Sequence, residues 1–495
     1  MTGMDRRTRV LVIAIVVAFI AFLDGAVINI ALPAIEAELG GGLTLQQWAV
    51  DAYLLTLGSL ILLAGSLSDS FGRLRILRIG LYGFGLTSIV CAIAMDGTVL
   101  VVARALQGAA GALLVPSSLA LIIANFPSAE QGRAIGRWTA WTTSAFLIGP
   151  ILGGALVDLV SWRLVFAINV VPIAVALVMM HPLGRDEPNP DRARVDWLGA
   201  TLGVVGLGGT VFALIEQGRL GWADPLVFVP AVVGVVALVA FVLWERRAPH
   251  PMLPLSLFEA RNFAAGNLAT WFIYAAFMLG LFALPIFLQE VGGFPATLAG
   301  LATLPPTAML VVLGSWFGTL GGRFGPRFFM SAGPIVVAVG YLLTLMVDVP
   351  VEYWWQVFPG MLVVGLGMSM TVAPLTSAIL GAVDPSRAGI GSAVNNAVAR
   401  IAGLVSVASI GVIVAGQLDV SGYHRVAIVT AALLLVGGVV SWIGIRNPSQ
   451  TADAGAAATT ETADAAGSTV EADPADGQPR TSAPDAASSD ERPRS

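Results

Sequence analysis

Residues 10–33 read VLVIAIVVAFIAFLDGAVINIALP, a run of twenty-four residues with one charge. About 20 apolar residues in a helix cross the hydrocarbon core of a bilayer. The block is apolar on every side rather than along one stripe, which suits a lipid-embedded helix and not a surface helix of a soluble protein. Similar blocks recur through the chain. Fourteen candidates begin near Val10, Thr44, Arg75, Thr98, Ala134, Trp162, Asp196, Asp224, Asn262, Thr297, Arg327, Tyr353, Ile390 and His424. The seventh and eighth, roughly 196–216 and 224–244, are joined by a short turn.

Composition supports the same reading. Of 495 residues, 56% are hydrophobic and 12% charged, with a mean hydropathy of +0.83; soluble proteins carry roughly twice that charge. All 26 basic residues are arginine. Without lysine there is no P-loop, whose lysine must reach the terminal phosphates, and no Schiff-base enzyme. One cysteine, Cys91, excludes a disulfide framework or a cysteine-rich metal site, and three histidines near segment ends leave little for a catalytic metal. The reading is therefore a non-enzyme with no cofactor, no metal and no nucleic-acid partner.

The net charge of −5 is carried by residues 449–495, which hold nine acidic residues and three arginines; the rest of the chain is close to neutral. That tail is rich in Ala, Asp, Thr, Ser and Pro, too polar to offset its ordering entropy by burial, and is expected to be disordered. Arginines outside the tail divide unevenly. Eighteen fall in loops on the side of the N-terminus and three (Arg163, Arg219 and Arg425) on the other, with Arg104 and Arg400 left inside spans. Cytoplasmic loops collect positive charge, so the distribution predicts fourteen spans with both termini cytoplasmic. The basic N-terminus and first apolar block superficially resemble a signal peptide. Asp24 interrupts the block and no clean small-residue cleavage site follows, so it is read as an uncleaved first span.

The segment from Gly65 to Arg75, containing Asp69, Gly72 and Arg73, reappears 253 residues later as Gly318 to Arg327, with Gly322 in the place of the aspartate. Such an internal repeat predicts two six-helix halves. The expected organisation is an N-terminal cytoplasmic segment (1–9), a first half (10–183), a central inserted pair with its loops (184–261), a second half (262–446) and the tail (447–495).

Several motifs together resemble the major facilitator superfamily, in particular its fourteen-span drug:proton antiporter branch, over roughly residues 10–446. Leu23-Asp24 through Ala31-Leu32-Pro33 is similar to the branch's first-span signature. An ionised aspartate that deep costs several kcal/mol unless it is paired, hydrated or protonated, and the resemblance makes Asp24 the proton-coupling carboxylate, with Asn29 lining the same region. Arg104-Ala-Leu-Gln107-Gly108 matches the family's fourth-span motif and implies Arg104 as a partner in proton transfer; read alone, Arg104 could snorkel to the interface. The 65–75 segment resembles the family's gating loop, with Gly65, Asp69, Gly72, Arg73 and Arg75 as its working residues and the glycines permitting close approach and a tight turn. Gly149-Pro150-Ile-Leu-Gly153-Gly154 resembles the fifth-span motif associated with antiporters, with Ala145 in place of its leading glycine. Trp162 to Pro172, including Asn169, resembles the start of the sixth span with one extra residue before the proline. Ala388 to Arg400, including Asn395, resembles the start of the thirteenth; Arg400 either balances an acid or faces a cavity.

Asp51 and Glu216 are candidate charges for cationic substrates, although Glu216 near a span end also reads as a solvated residue. Gln107, Trp138, Trp141, Tyr274 and Phe282 complete an expected cavity. The resemblance implies an all-α membrane protein with the major facilitator fold. It implies a monomer in the bacterial cell membrane that exports lipophilic, cationic drugs against protons by alternating access. Export of an endogenous antibiotic or secondary metabolite, and proton-coupled metabolite symport on the same fold, are the alternatives within transport. A non-transporting receptor or scaffold is the alternative outside it.

Overall fold

The computed structural model describes residues 5–184, 196–249, 251–384 and 387–447. Every regular element among them is helical. Among the described residues, fourteen helices are long and apolar enough to cross a membrane. The first six are α1 (Arg6–Leu39), α2 (Gly42–Ser68), α3 (Arg73–Ala92), α4 (Gly97–Asn125), α5 (Glu130–Leu159) and α6 (Leu164–Leu183). A pair follows, α7 (Trp197–Leu220) and α8 (Pro225–Glu245). The last six are α9 (Arg261–Glu290), α10 (Ala296–Phe324), α11 (Pro326–Met346), α12 (Tyr353–Leu380), α13 (Ala388–Val414) and α14 (Val420–Gly444). Each begins within a few residues of its expected start. The acidic tail beyond Asn447 and the arginines at 185, 192 and 194 lie outside the described residues.

The repeat seen in the sequence is a repeat of packing. In the first six helices α1 packs on α5 and α6, α2 on α4, and α3 on α4 and α6; in the last six α9 packs on α13 and α14, α10 on α12, and α11 on α12 and α14. Both copies of the loop motif turn at a glycine with positive φ, Gly72 at 98° and Gly325 at 85°. Only glycine adopts that region without steric cost. Gly65, expected to permit close helix approach, has nothing within 4 Å of where a Cβ would stand. The turn at Gly72 needs its glycine; the neighbourhood of Gly65 does not in this arrangement.

Lipid is as apolar as a protein core, so helices in a bilayer are held by close contact and hydrogen bonds rather than by the hydrophobic effect. The fifth-span motif shows how. A Cβ on Gly149 would stand 2.7 Å from the Ala26 Cβ, and one on Gly153 would stand 2.5 Å from Val27 Cγ1, so α5 lies directly against α1. Gly154 faces the other half, where a Cβ would meet the backbone of Ala296 and Thr297. The pair α7–α8 is peripheral. α7 packs on α2 and α13, one helix from each half, while α8 packs on α7 and presents Leu226, Phe228, Val232, Val236 and Val239 outward.

We call the end of the bundle where α1 begins and α14 ends the terminal end, and the opposite one the distal end. At the distal end the halves are joined by a set of hydrogen bonds. Gln46 Nε2 donates to Glu290 at 2.6 Å, Gln47 Nε2 to the carbonyls of Val407 and Ala408, and Gln289 Nε2 to the Ile30 carbonyl. Asp158 on α5 accepts from the backbone N–H groups of Ala296 and Thr297 at 3.0 and 2.7 Å, capping the start of α10 from the other half. The halves are thus closed distally.

Candidate functional site

At mid-depth, α1, α3, α4 and α6 converge on Asp24. Its Oδ2 accepts from Arg104 Nη1 at 2.6 Å; its Oδ1 accepts from Gln107 Nε2 at 3.1 Å and from Asn169 Nδ2 at 2.9 Å. Arg104 and Gln107 are three residues apart on α4 and therefore share a face. Arg104 Nη1 also donates to Gln107 Oε1 at 2.7 Å, and its Nε donates to the Ala49 carbonyl of α2 at 2.8 Å. Gln107 Nε2 reaches Ser88 on α3. The guanidinium lies 4.3 Å from the Tyr53 ring centroid and 5.6 Å from that of Phe166. Asp24 is 1% exposed and Arg104 fully buried, so Arg104 does not snorkel.

This is a buried ion pair whose remaining hydrogen-bonding positions are occupied by fixed amides. Burying two charges without such partners is unfavourable, and removing one member strands the other. The pair locks α1 to α4 at 2.6 Å, with Asn169 tying in α6.

Beside the pair, between the halves, lies a cavity of about 350 Å³. Phe22, Gly25, Ile28 and Asn29 of α1, Tyr53 of α2 and Phe146 of α5 form one wall; Tyr274 and Phe282 of α9 with Asn395, Asn396 and Arg400 of α13 form the other. Arg104 reaches this wall from behind, while Asp24 does not. Wall residues toward the distal end (Ile28, Val50, Phe282, Val407) are buried, whereas Thr376 and Ser392 toward the terminal end are exposed. The cavity is therefore sealed distally and opens toward the terminal end.

Asn29, Tyr274, Phe282, Asn395 and Arg400 stand in the wall as expected. Gln107 instead belongs to the buried pair behind it. Trp138 is partly buried among α1 and α4 side chains, and Trp141 is 57% exposed; neither lines the cavity. Asp51 faces away from the cavity and is fully buried. Glu216 is not a solvated residue: it accepts from Trp48 Nε1 at 2.9 Å and pairs with Arg219. Arg73 and Arg75 follow the Gly72 turn in the first turn of α3 at the terminal end, and the Asp69 side chain lies outside what is described. Arg400 donates to Asn396 Oδ1 and sits 5.7 Å from the Phe22 ring; no carboxylate pairs with it among the described residues. No acidic side chain lines the cavity, so the wall contains no counter-charge for the cationic substrates expected from the resemblance.

The roles of Asn169 and Ser88 are not legible in the sequence. A lone amide within the apolar run Phe166-Ala-Ile-Asn169-Val-Val was the available signal. Ser88 gave none, because a hydroxyl inside a membrane helix commonly bonds its own backbone.

Residues 14–407 match the family model described as Major Facilitator Superfamily. The chain belongs to the major facilitator superfamily. It is 34% identical to the methylenomycin A resistance protein of Bacillus subtilis over 82% of this chain and 87% of that one. It is 33% identical to the puromycin resistance protein of Streptomyces alboniger, covering 90% and 93%. It is also 35% identical to a probable actinorhodin transporter of Streptomyces coelicolor, covering 80% and 70%. Among solved structures it resembles an auto-inhibited POT family peptide transporter, with a TM-score of 0.66 at 15% identity, covering 89% and 98%. A D-xylose-proton symporter aligns with a TM-score of 0.64 at 14% identity, covering 89% and 98%. These last two similarities are of fold. With fourteen spans and this family, the chain is a multi-pass membrane protein of a family that handles small molecules.

Proposed function

We propose that this protein is a proton-coupled exporter of lipophilic antibiotics or related toxic compounds, working by alternating access. The observation that carries the reading is the buried Asp24–Arg104 pair set directly behind a cavity that opens to one end only. The resistance and export names of the relatives support the substrate class. The arginine-rich terminal end faces the cytoplasm, so the structure is the cytoplasm-open arrangement of a monomeric transporter. Substrate enters from that side and rests between Phe22, Phe146, Tyr274 and Phe282. Asn29, Asn395, Asn396 and Arg400 provide polar recognition.

With no carboxylate beside Arg400 and no acid in the wall, the cavity favours neutral or acidic lipophiles, and amines in their unprotonated form, over cations. Proton binding to Asp24 and substrate binding are linked through the two arrangements of the halves, each biasing the other by its differential affinity. The loop around Gly72, with Arg73 and Arg75, is assigned to gating at the cytoplasmic end. The small-residue surface of Gly149, Pro150, Gly153 and Gly154 is assigned to movement of α5 over α1 and α10.

The test uses everted membrane vesicles from an efflux-deficient host. Puromycin added to energised wild-type vesicles should dissipate the proton gradient, and Asp24→Asn at equal expression should not. Gradient dissipation unchanged in Asp24→Asn would remove Asp24 from coupling. Puromycin entering wild-type vesicles together with protons, rather than against them, would favour symport.

A further inference from the structure

Asp51 takes no part in the cavity or in the buried ion pair, yet it is fully buried and neither carboxyl oxygen has a hydrogen-bond partner. Its place on α2 is fixed by its neighbours. Gln47, Asp51 and Leu55 are spaced four apart and form one stripe. Gln47 bonds the carbonyls of Val407 and Ala408 on α13, and Leu55 lies against Gly208 on α7. Asp51 therefore points into the junction of α2, α7 and α13, where Leu207, Val211 and Leu404 form an apolar cluster.

The charged groups packed near this junction are engaged elsewhere. On α7, Glu216 is held by Trp48 and Arg219, and Arg219 stands at the distal rim. On α13, Arg400 lies further toward the terminal end, beside Gly58, and turns its guanidinium to Asn396 and Phe22. Immediately distal to Asp51 is a second hollow of about 400 Å³, lined by Thr44 and Gln47 of α2, Gln217 and Arg219 of α7, and Gly411 of α13. Gln47 is one helical turn from Asp51, about 6 Å along the axis. A buried acid without a donor thus stands one turn below a polar vestibule at the distal surface.

We propose that Asp51 is a second proton-binding site, loaded from the distal side through the vestibule between α2, α7 and α13. A hydronium ion in the vestibule gives its proton to one carboxyl oxygen; an O–H bond forms there, the negative charge is lost, and a water molecule remains. A carboxylate buried without a donor or counter-charge is strongly disfavoured, so in the present arrangement the group is the neutral acid. It ionises when α2 and α13 separate at their distal ends and water reaches it. The α7–α8 pair supplies the wall without which Asp51 would face lipid. This rests on the alternating-access reading above, but its test does not depend on transport.

The purified full chain in lipid nanodiscs would be examined by infrared difference spectroscopy. Wild type at neutral pH should show a carboxylic acid C=O band that is missing in Asp51→Asn, while Asp24→Asn retains it. Asp51→Glu should restore a band at a shifted frequency, and covers the case in which Asp51→Asn fails to fold. A Cβ at Gly411 meets Gln47 only at ordinary contact distance, and Gly411 lines the vestibule, so Gly411→Leu places added apolar bulk in the path. It should slow the deuterium-induced shift of the band roughly tenfold. A spectrum unchanged in Asp51→Asn would overturn the proposal, as would deuterium exchange unaffected by Gly411→Leu. Failure of wild type to couple puromycin to protons would instead overturn only the export reading.

Discussion

Asp24 and Arg104 show how far single residues can be read before a structure exists. A carboxylate and a guanidinium in separate apolar spans invite pairing, since neither can stay charged and alone in lipid. Their partners were harder to see: Asn169 and Ser88 are unremarkable in sequence and matter only because four helices meet there. Three predictions belong at this scale. Arg104→Ala leaves Asp24 without its counter-charge and should lower stability by about 3–5 kcal/mol, measured by thermal unfolding in detergent. Asp24→Asn, which in turn leaves the Arg104 guanidinium without its counter-charge, should abolish proton-driven efflux while substrate still binds. Arg400→Ala should weaken binding of an acidic lipophile about tenfold, the equivalent of ~1.4 kcal/mol, and leave a neutral analogue nearly unchanged. Equal losses for both, measured by tryptophan quenching, would show that Arg400 acts through packing and not through its charge.

At the scale of elements, span boundaries were readable because apolar length is a strong signal, and the loop repeat announced the two halves. Cavity residues on α5 were not readable. Trp138 and Trp141 lie on a stretch of α5 where polar residues (Arg133, Arg137, Thr139, Thr142, Thr143) are spread around the helix, so composition gives no indication which face meets the cavity and which the lipid. The Gly149–Gly154 segment was legible as a close-packing surface, but its partners were not: Gly149 and Gly153 rest on α1, whereas Gly154 touches α10 of the other half. A branched side chain there should act as a wedge between halves. Gly154→Val is therefore expected to shift the population toward distal opening, increasing the distance between spin labels placed at the distal ends of α5 and α10. An unchanged distance distribution would mean that this contact does not hold the distal side shut.

For the whole molecule, charge asymmetry predicts which end faces the cytoplasm. In a Cys91→Ser background, single cysteines in the α8–α9 loop at Arg247→Cys and in the α7–α8 turn at Trp222→Cys should be labelled by impermeant maleimide from opposite sides of the membrane. Labelling from the same side would overturn the fourteen-span topology. The role of the inserted pair was invisible in sequence because α7 and α8 carry no motif of their own; it emerged only from the three-helix junction around Asp51. The scarcity of basic residues at the distal end has a practical consequence as well. The chain has no lysine, and each distal arginine is already held: Arg163 by Glu38, Arg219 by Glu216 and Arg425 by the Val414 carbonyl. Trypsin, which cuts after lysine and arginine, should therefore digest the protein readily from one face of a sealed vesicle and scarcely from the other, making the enzyme a simple assay of which way round the transporter was inserted.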